Sequence, residues 1–562
     1  MKEKILSVQN LSIHFASQLP VVKAVDHISF DLGKGESLGI VGESGSGKTI
    51  TALSILNLLP PASTINSGKI EFFRKHDSVD LTGLNDKSMR AIRGNEIAMI
   101  FQEPMSALNP AFTCGNQVVE NILEHQKLKP SEARELCLHL FEQVKLPEPS
   151  RIFKSYPHQL SGGQQQRVMI AMAVSCNPKI LIADEPTTAL DVTVQKSILN
   201  LLKELTQKYN MSLIFISHDL GVVSEIADTI AVMNNGKIVE LNSKKPIITN
   251  PGNAYTKGLL ACRPPVSYKP ERLKTLQDFS QDSSITTSRR EKKYKKKFED
   301  VLFSLENVSK SFPVKTNFLG KPKKTVEAIK NVSLRIHKHE TLGLVGESGC
   351  GKSTLGRLML KLLYTTNGDI YYQGNNLKSL NRRKLKNFRQ EAQIIFQDPY
   401  SSLNPKPTVE KIISEPINYY HYTNSKKETQ LKVKELLNDV RLGEDFLRRY
   451  PHELSGGQRQ RVAIARVLAL QPSFIVCDES VSALDVSIQA EVLNLLQDLK
   501  EKYELTYVFI SHDFSVVRFM ADTIAVMKEG EIIEKGASDN IFEAPKNQYT
   551  KMLLNSIPNI EV

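Results

Sequence analysis

The chain contains two copies of one domain-length pattern. GESGSGKT at Gly42–Thr49 returns as GESGCGKS at Gly346–Ser353, and YPHQLSGGQQQRV at Tyr156–Val168 returns as YPHELSGGQRQRV at Tyr450–Val462. From the second of these motifs to FISHD near the end of each copy, equivalent residues are 294 positions apart. A repeat this long is not the unit of a solenoid. The sequence therefore predicts two copies of a whole domain.

Composition is compatible with ordinary packed domains. Of 562 residues, 41% are hydrophobic, which excludes wholesale disorder. No apolar run reaches the length of a membrane span, and the N-terminus MKEKILSVQN lacks the features of a secretory signal, so we expect no span in the chain itself. Six irregularly spaced cysteines without a C-x-x-C pair argue against a zinc site or a disulfide framework. They favour a reducing compartment.

Charge alone does not identify a partner. The formal net charge of +12 would suit nucleic acid or an anionic membrane surface. Part of the excess lies in one short run, RREKKYKKK at Arg289–Lys297. We interpret that run as a solvated linker, with attraction to anionic lipid as the alternative.

Composition also predicts the domain boundaries. Residues 1–262 form the first domain and residues 301–562 the second, joined by a polar, basic linker at residues 263–300 that contains three prolines. Within each copy, short β-branched runs alternate with helical patterns, which is typical of a mainly parallel α/β sheet. The stretch between Gln102 and Ser161 is helical in character and predicts a separate helical lobe.

Both copies carry the pattern G-x-x-x-x-G-K-[ST] between an apolar strand and a helix, the context of a phosphate-binding loop. Its backbone amides surround the phosphates, the lysine neutralises their charge, and the last hydroxyl binds Mg²⁺. Cys350 lies inside the second loop, either as a small filler or as a thiol whose pKa is lowered at a helix N-terminus. The predicted loop residues are Gly42, Glu43, Ser44, Gly45, Ser46, Gly47, Lys48 and Thr49, and Gly346, Glu347, Ser348, Gly349, Cys350, Gly351, Lys352 and Ser353.

Two further repeated motifs suit phosphate chemistry. Asp184-Glu185 and Asp478-Glu479 end apolar strands, where the aspartate can support Mg²⁺ and the glutamate can act as general base toward water. A solvated acidic turn is the alternative interpretation. LSGGQ precedes a helix in each copy and offers a serine hydroxyl and bare amides to an anion, although a plain helix cap would have the same composition.

The order of the motifs resembles that of the ATP-binding cassette (ABC) ATPases. It is the phosphate loop, a glutamine, LSGGQ, the Asp-Glu pair, ALD and a terminal histidine. The resemblance covers nearly the whole chain apart from the linker. It implies two tandem α/β cassettes, each with a RecA-like, mainly parallel core, an antiparallel β subdomain and a helical subdomain. It also implies that the cassettes close head to tail, so that LSGGQ of one completes the ATP site of the other.

The resemblance assigns residues to two composite sites that bind ATP and Mg²⁺, and both are expected to hydrolyse ATP. The first joins Lys48, Thr49, Gln102, Asp184, Glu185 and His218 to Ser455, Gly456, Gly457 and Gln458. The second joins Lys352, Ser353, Gln397, Asp478, Glu479 and His512 to Ser161, Gly162, Gly163 and Gln164.

Within these sites, the resemblance gives each remaining side chain a role. The glutamines sense Mg²⁺ and the attacking water, and the histidines hydrogen-bond the γ-phosphate. Phe15 and Phe312 occupy the place of an adenine-stacking aromatic, although a core-facing phenylalanine would fit the same strand. Asp191 and Asp485 are expected at the contact between cassettes.

Other strings resemble the peptide/nickel (oligopeptide and dipeptide) importer subfamily. They are MSALNP and YSSLNP after each glutamine, and NPGNAYTKGLL and APKNQYTKMLL near the end of each cassette. The resemblance implies two integral-membrane permease subunits that dock on the helical lobes, and a chain peripheral to the cytoplasmic face of the inner membrane. An extracytoplasmic solute-binding protein would supply cargo, which stays open between di- or oligopeptides, nickel, glutathione and cell-wall peptides. Only Cys262 lies in the first tail and no cysteine follows Cys477, so we predict no iron–sulfur cluster.

A soluble tandem ABC ATPase acting on ribosomes or nucleic acid is the alternative function. It would explain the positive charge. The proline-containing linker differs from the long charged helical linker of translation-factor relatives, and the zinc-binding cysteine pairs of repair relatives are absent from the sequence. We therefore favour import, with no nucleic-acid partner.

Overall fold

A computed structural model describes residues 3–15, 22–188, 190–280, 298–316, 322–398 and 402–557 of the protein. The run at Arg289–Lys297, and Pro399–Ser401 in and next to YSSLNP, lie outside the described residues. Among the helices that are described, none is both long and apolar enough to cross a bilayer.

The first cassette contains ten strands and eleven helices in its described residues. The strands are β1 (Lys4–Phe15), β2 (Val22–Gly33), β3 (Ser37–Val41), β4 (Ser63–Phe73), β5 (Ser78–Asp80), β6 (Ile97–Ile100), β7 (Ile180–Asp184), β8 (Ser212–Ser217), β9 (Thr229–Asn234) and β10 (Lys237–Ser243). The helices are α1 (Lys48–Ile55), α2 (Asp86–Ile92), α3 (Pro104–Ala107), α4 (Cys114–His125), α5 (Pro130–Gln143), α6 (Pro149–Phe153), α7 (Gly162–Val174), α8 (Val192–Lys208), α9 (Leu220–Ile226), α10 (Lys244–Thr249) and α11 (Ala254–Ala261).

The second cassette repeats this order, after α12 (Gln277–Ser280) between the two. Its strands are β11 (Val301–Thr316), β12 (Pro322–His337), β13 (Thr341–Val345), β14 (Asn367–Tyr372), β15 (Asn375–Asn376), β16 (Ala392–Ile395), β17 (Phe474–Asp478), β18 (Thr506–Ile510), β19 (Thr523–Lys528) and β20 (Glu531–Ala537). Its described helices are α13 (Lys352–Met359), α14 (Arg382–Glu391), α15 (Val409–Tyr420), α16 (Lys426–Asp439), α17 (Gly456–Leu468), α18 (Val486–Lys502), α19 (Phe514–Met520), α20 (Ser538–Glu543) and α21 (Gln548–Leu554).

Each cassette has two sheets with the same topology. One is an antiparallel sheet of order β2-β1-β4-β5, repeated as β12-β11-β14-β15. The other has the order β10-β9-β3-β8-β7-β6, repeated as β20-β19-β13-β18-β17-β16. Its pairings are parallel except for the antiparallel edge strand β10 or β20. The predicted α/β architecture of two tandem cassettes is confirmed.

Side chains of the central strands point alternately to the two faces of the sheet and so contribute to two separate hydrophobic cores in each cassette. On β7, Ile180 and Ile182 face the core shared with the antiparallel sheet, whereas Leu181 and Ala183 face the core shared with the helices. Successive side chains of a strand point to opposite faces, so a strand covered on both faces is apolar throughout. This explains why the sequence LIAD is buried at every position.

The parallel strands end where the functional motifs begin. The phosphate loops follow β3 and β13, the Asp-Glu pairs close β7 and β17, and the histidines follow β8 and β18. Because these strands are neighbours in one parallel sheet, their carboxyl ends lie side by side. The helical lobe is formed by α4 to α6 in the first cassette and by α15 and α16 in the second.

Two glycines allow a helix to pack directly on the central sheet. A Cβ atom on Gly343 of β13 would lie 2.4 Å from Cγ1 of Val517 on α19, and one on Gly39 of β3 would lie 2.1 Å from Cγ1 of Val223 on α9. We predict that Gly343→Ala destabilises the protein by roughly 1–3 kcal/mol through overpacking and lowers its thermal midpoint by several degrees. Calorimetry of the full chain measures this.

Gly83→Ala is the matched control, because a Cβ there meets nothing within 4 Å. Equal midpoints for the two variants would contradict the packing account.

Candidate active site

The phosphate loops have the backbone conformation that their glycines permit. Gly47 and Gly351, immediately before α1 and α13, have φ of 99° and 107°, in the left-handed region that disfavours other residues. Lys48 Nζ donates to the carbonyl oxygens of Gly42 and Glu43, both at 2.8 Å. Lys352 makes the same two bonds with Gly346 and Glu347, at 2.7 and 2.8 Å. Both lysines are thus held inside their own loops, and burial lowers the pKa of Lys48.

The hydroxyl that ends each phosphate loop meets the predicted aspartate. Thr49 Oγ1 donates to Asp184 Oδ1 at 3.2 Å, and Ser353 Oγ donates to Asp478 Oδ1 at 2.7 Å. Burial raises the pKa of Asp184 to about 6, against the hydrogen bond from Thr49. A hydroxyl and a carboxylate are oxygen donors of the kind that Mg²⁺ prefers, with phosphate and water oxygens for its other positions. The donor set therefore fits the ion.

Each predicted general base is held by a histidine and a glutamine. Gln102 Nε2 donates to Glu185 Oε2 at 3.0 Å, and His218 Nδ1 lies 3.4 Å from the same oxygen. In the second cassette, Gln397 Nε2 donates to Glu479 Oε2 at 2.8 Å, and His512 Nδ1 lies 3.6 Å from Oε1. The structure therefore brings the glutamate, glutamine and histidine of each cassette together.

The charges in this cluster shift the pKa values of both the glutamate and the histidine. Burial acts to raise the pKa of Glu185, but the hydrogen bond and charge of His218 outweigh it and lower that pKa to about 2. Burial acts to lower the pKa of His218, but the hydrogen bond and charge of Glu185 raise it. The same directions hold for Glu479 and His512. Each glutamate is consequently ionised at neutral pH.

Both glutamates have a strained backbone. Glu185 has φ of 46° and Glu479 has φ of 47°, although neither is glycine. Their amides donate to Ile216 O and Ile510 O, each at 3.0 Å, on the neighbouring strand. Left-handed conformations of such residues concentrate at functional sites, where the surrounding structure holds them. The side chains of Glu185 and Glu479 are only 8% and 12% exposed, which argues against the solvated acidic turn.

LSGGQ forms a helix cap in both cassettes. Ser161 Oγ accepts from Gln164 N at 3.3 Å, and Gln164 Oε1 accepts from Ser161 N at 3.1 Å. Ser455 and Gln458 form the same reciprocal pair at the start of α17. These bonds satisfy the backbone amides of the serine and the glutamine. The backbone amides of the two glycines between them lie at the helix N-terminus, where a helix offers no acceptor of its own.

Hydrogen bonds across the cassettes join each phosphate loop to the helix that follows the partner's Asp-Glu pair. Ser44 N and Oγ donate to Asp485 at 3.1 and 3.0 Å, and Ser487 Oγ donates to Glu43. In the opposite direction, Thr193 Oγ1 donates to Glu347 Oε1 at 2.8 Å. Asp485 thus lies at the predicted contact, whereas Asp191 accepts from Val194 N and Thr193 Oγ1 of its own helix.

The LSGGQ glycines lie beside the same contacts. A Cβ on Gly457 would lie 2.4 Å from Ile488 Cγ2, one residue from Ser487. A Cβ on Gly163 would lie 2.9 Å from Val194 Cγ1, one residue from Thr193. Each LSGGQ therefore neighbours a helix start that contacts the opposite phosphate loop, as the head-to-tail prediction requires.

Sequence reasoning missed the residues that hold the glutamates of the phosphate loops. The amides of Glu43 and Glu347 donate to the hydroxyls of Tyr255 and Tyr549, at 3.2 and 3.3 Å. These tyrosines belong to the repeated strings NAYTK and NQYTK, which the sequence alone indicates only as subfamily features. Their recurrence at the same place in both copies was the available signal.

The remaining predicted residues are less clearly placed. Phe15, at the end of β1, is half-buried, and Phe312 is 36% exposed with Lys310 Nζ 5.1 Å from its ring centroid. Stacking on adenine stays a prediction for both. The lowered pKa considered for Cys350 is wrong, because burial of this thiol raises its pKa despite the opposing charge of Lys352. Cys350 is a buried filler, 6% exposed.

Comparison with known proteins agrees with this geometry. The family model described as ABC transporter matches residues 25–188 and 329–482, and the model described as oligopeptide/dipeptide transporter, C-terminal region, matches residues 239–295 and 533–562. The chain belongs to the ABC transporter family. It is an ATP-binding ATPase with two cassettes.

Curated relatives match along most of their length. The glutathione import ATP-binding protein GsiA of Pectobacterium atrosepticum is 42% identical over 564 residues, covering 99% of this chain and 90% of that protein. GsiA of Escherichia coli is 43% identical over 566 residues, with the same coverage of 99% and 90%. The peptidoglycan transport ATP-binding protein YejF of Agrobacterium fabrum is 44% identical over 560 residues, covering 100% and 97%. These names give no support to action on ribosomes or nucleic acid.

The pKa of Cys350 leads to a prediction about its reactivity. A raised pKa leaves less thiolate at any pH below it, and the thiolate is the nucleophile. We expect iodoacetamide at pH 7.5 to alkylate Cys350 at least about tenfold more slowly in the folded protein than in urea, as measured by mass spectrometry of the peptide. Equal rates in the two states would contradict the burial of this thiol.

Proposed function

We propose that the two cassettes close head to tail on two molecules of ATP with Mg²⁺, and that hydrolysis drives two integral-membrane permeases that import peptides or similar small solutes. The observation that carries the proposal is the reciprocal set of hydrogen bonds between the cassettes: Ser44 donates to Asp485, Glu43 accepts from Ser487, and Glu347 accepts from Thr193. Each phosphate loop is thereby completed by the other cassette.

The phosphate loops bind and orient the nucleotide. Lys48 and Lys352 exchange their bonds to loop carbonyl oxygens for bonds to phosphate oxygens, while the amides of the glycine-rich turn point to the same oxygens. Ser46 Oγ is buried without a partner among the described residues and is available to a ligand. When bound with ATP, Mg²⁺ would be held by Thr49 or Ser353 with Asp184 or Asp478, and it would neutralise charge that develops on the phosphates.

The glutamates act as general bases toward water. Glu185 is ionised and accepts bonds from Gln102 and Thr188, so it is ready to accept a proton from water placed against the γ-phosphate. His218 is held by that carboxylate and can donate instead to a γ-phosphate oxygen. The LSGGQ amides of the partner then supply further donors to the same phosphate, which makes hydrolysis depend on closure.

Exposed hydrophobic side chains favour a docking surface next to the first glutamine loop. Met105 is 75% exposed and Phe112 is 54% exposed, with Phe101 and Tyr156 also exposed. Cys114 N donates to Ser155 O at 2.9 Å, which connects the start of α4 to the segment before LSGGQ. Apolar side chains grouped in this way mark interaction sites. We infer that a permease segment docks here, next to Gln102 and thus to the base.

The cargo is inferred from the relatives. Their names state glutathione import and peptidoglycan transport, and both solutes contain peptide bonds. We therefore infer a peptide-like cargo, delivered by an extracytoplasmic binding protein, and a chain peripheral to the cytoplasmic face of the inner membrane.

Removing either base should slow ATP turnover. We predict that Glu185→Gln or Glu479→Gln lowers ATP hydrolysis by a factor of about 10²–10⁴ at the altered site while ATP stays bound, because the amide cannot accept the proton. Phosphate release and retained nucleotide, measured on the purified full chain, test this.

Glu135→Gln on α5 is the matched control, since this glutamate is exposed on the helical lobe. Near-normal single-turnover hydrolysis at a site that carries Gln would show that the glutamate is not the general base there.

Changing the docking surface should release the chain from the membrane. We predict that Met105→Glu with Phe112→Glu lowers the fraction that sediments with native membranes at least about tenfold, because a buried, unpaired carboxylate opposes an apolar contact. Basal hydrolysis by the purified chain should not change. Leu241→Glu, an exposed leucine on the edge strand β10, is the control. Equal sedimentation of both variants would refute docking at this surface.

A further inference from the structure

The segment that leaves the first cassette packs on the second. Residues 263–280 follow α11, and we call them the clasp. Leu273 of the clasp is 3% exposed and belongs to the hydrophobic core of the second cassette, with Val266 and Leu276 packed against the same core. Cys262, the last residue before the clasp, belongs to that core as well.

Hydrogen bonds between the clasp and the second cassette fix the position of the clasp. Asn494 of α18 uses both ends of its side-chain amide: Oδ1 accepts from Leu273 N and Nδ2 donates to Leu273 O, each at 2.9 Å. Arg518 of α19 donates to Val266 O, and Lys269 Nζ donates to Ala521 O at 2.5 Å. Because Asn494 is 2% exposed, loss of the pair would leave buried polar groups unsatisfied.

The clasp is also anchored to the first cassette. Arg263 Nη1 lies 3.6 Å from Asp219 Oδ1, at the start of α9. Gly221 leaves room for this guanidinium, since a Cβ there would lie 1.8 Å from Nη1. Leu276 lies against Gly258 of α11 in the same way, 2.6 Å from the position of a Cβ. One short segment therefore contacts both cassettes.

The receiving surface is specific to the second cassette. At the equivalent positions, 294 residues earlier, the first cassette has Asn200 for Asn494 and Ser224 for Arg518. Asn200 is exposed on α8, and Ser224 donates to Gly221 O of its own helix. Lys196 also replaces the small, buried Ala490. Both copies thus have the asparagine, but only the second has the arginine and the small, buried alanine beside it.

We propose that the clasp is an interaction surface within the chain, and that its docking between α18 and α19 holds the two cassettes together when no nucleotide bridges them. The covalent connection through residues 281–297 is then not what keeps the cassettes paired. This role does not depend on the solute carried or on the permeases.

The test separates docking from covalent connection. A protease recognition sequence is inserted between Arg289 and Arg290 of the full chain, and the cleaved protein is examined by size-exclusion chromatography and mass photometry without nucleotide. We expect the two pieces to stay together at nanomolar concentration. With Leu273→Asp or Asn494→Ala, the dissociation constant of the two pieces should rise at least about tenfold over that of the unaltered protein.

Three comparisons make the result decisive. Asn200→Ala, the equivalent change in the first cassette, should leave the pieces together. The double variant Leu273→Asp with Asn494→Ala should be little worse than either single variant, because both remove one interaction. Uncleaved variants should keep the thermal midpoint of the second cassette to within a few degrees. The proposal is overturned if the unaltered pieces separate on cleavage, or if the variants stay paired as tightly as the unaltered protein.

Discussion

The contact between each phosphate loop and the helix start of the opposite cassette joins the two halves of each candidate site. The glutamate of the loop accepts a hydroxyl hydrogen bond from that helix, Glu43 from Ser487 and Glu347 from Thr193. Tyr255 and Tyr549 accept from the amides of the same glutamates. Each phosphate loop is therefore held both by the last helix of its own cassette and by the opposite cassette.

The two contacts are not equivalent, although the motifs nearly are. Asp485 accepts from Ser44 across the interface and makes no cap bond to its own helix, whereas Asp191 caps α8 and leaves Thr193 to reach across. Both oxygens of Asp485 accept from Ser44, whereas Asp191 Oδ1 accepts both of its bonds from α8. The two sites thus differ in how strongly the partner holds the phosphate loop.

The central sheet was predictable, and its motifs gave candidate site residues, because both depend on local chemistry. A glycine-rich turn between an apolar strand and a helix has one well-known use, and two copies reinforce it, so Lys48, Thr49, Asp184 and Glu185 could be found from spacing alone. The interaction of His218 with Glu185, and the raised pKa of the Cys350 thiol, depend on burial by distant segments. Spacing contains no information about burial of that kind, which is why it left two interpretations of Cys350 open, and burial decides for the filler over the thiol of lowered pKa.

The packing of the clasp is a second feature that the sequence pattern does not predict. Prolines and polar residues at 263–280 predict a linker, and composition cannot indicate that Leu273 is buried and pairs with Asn494, more than two hundred residues away in sequence. The deciding residue is Asn494, whose sequence neighbours on α18 are buried leucines. A buried asparagine in such a helix costs free energy unless both halves of its amide are paired. Its pairing with the Leu273 backbone explains why the second cassette tolerates it, and Asn200 avoids the same cost by facing solvent.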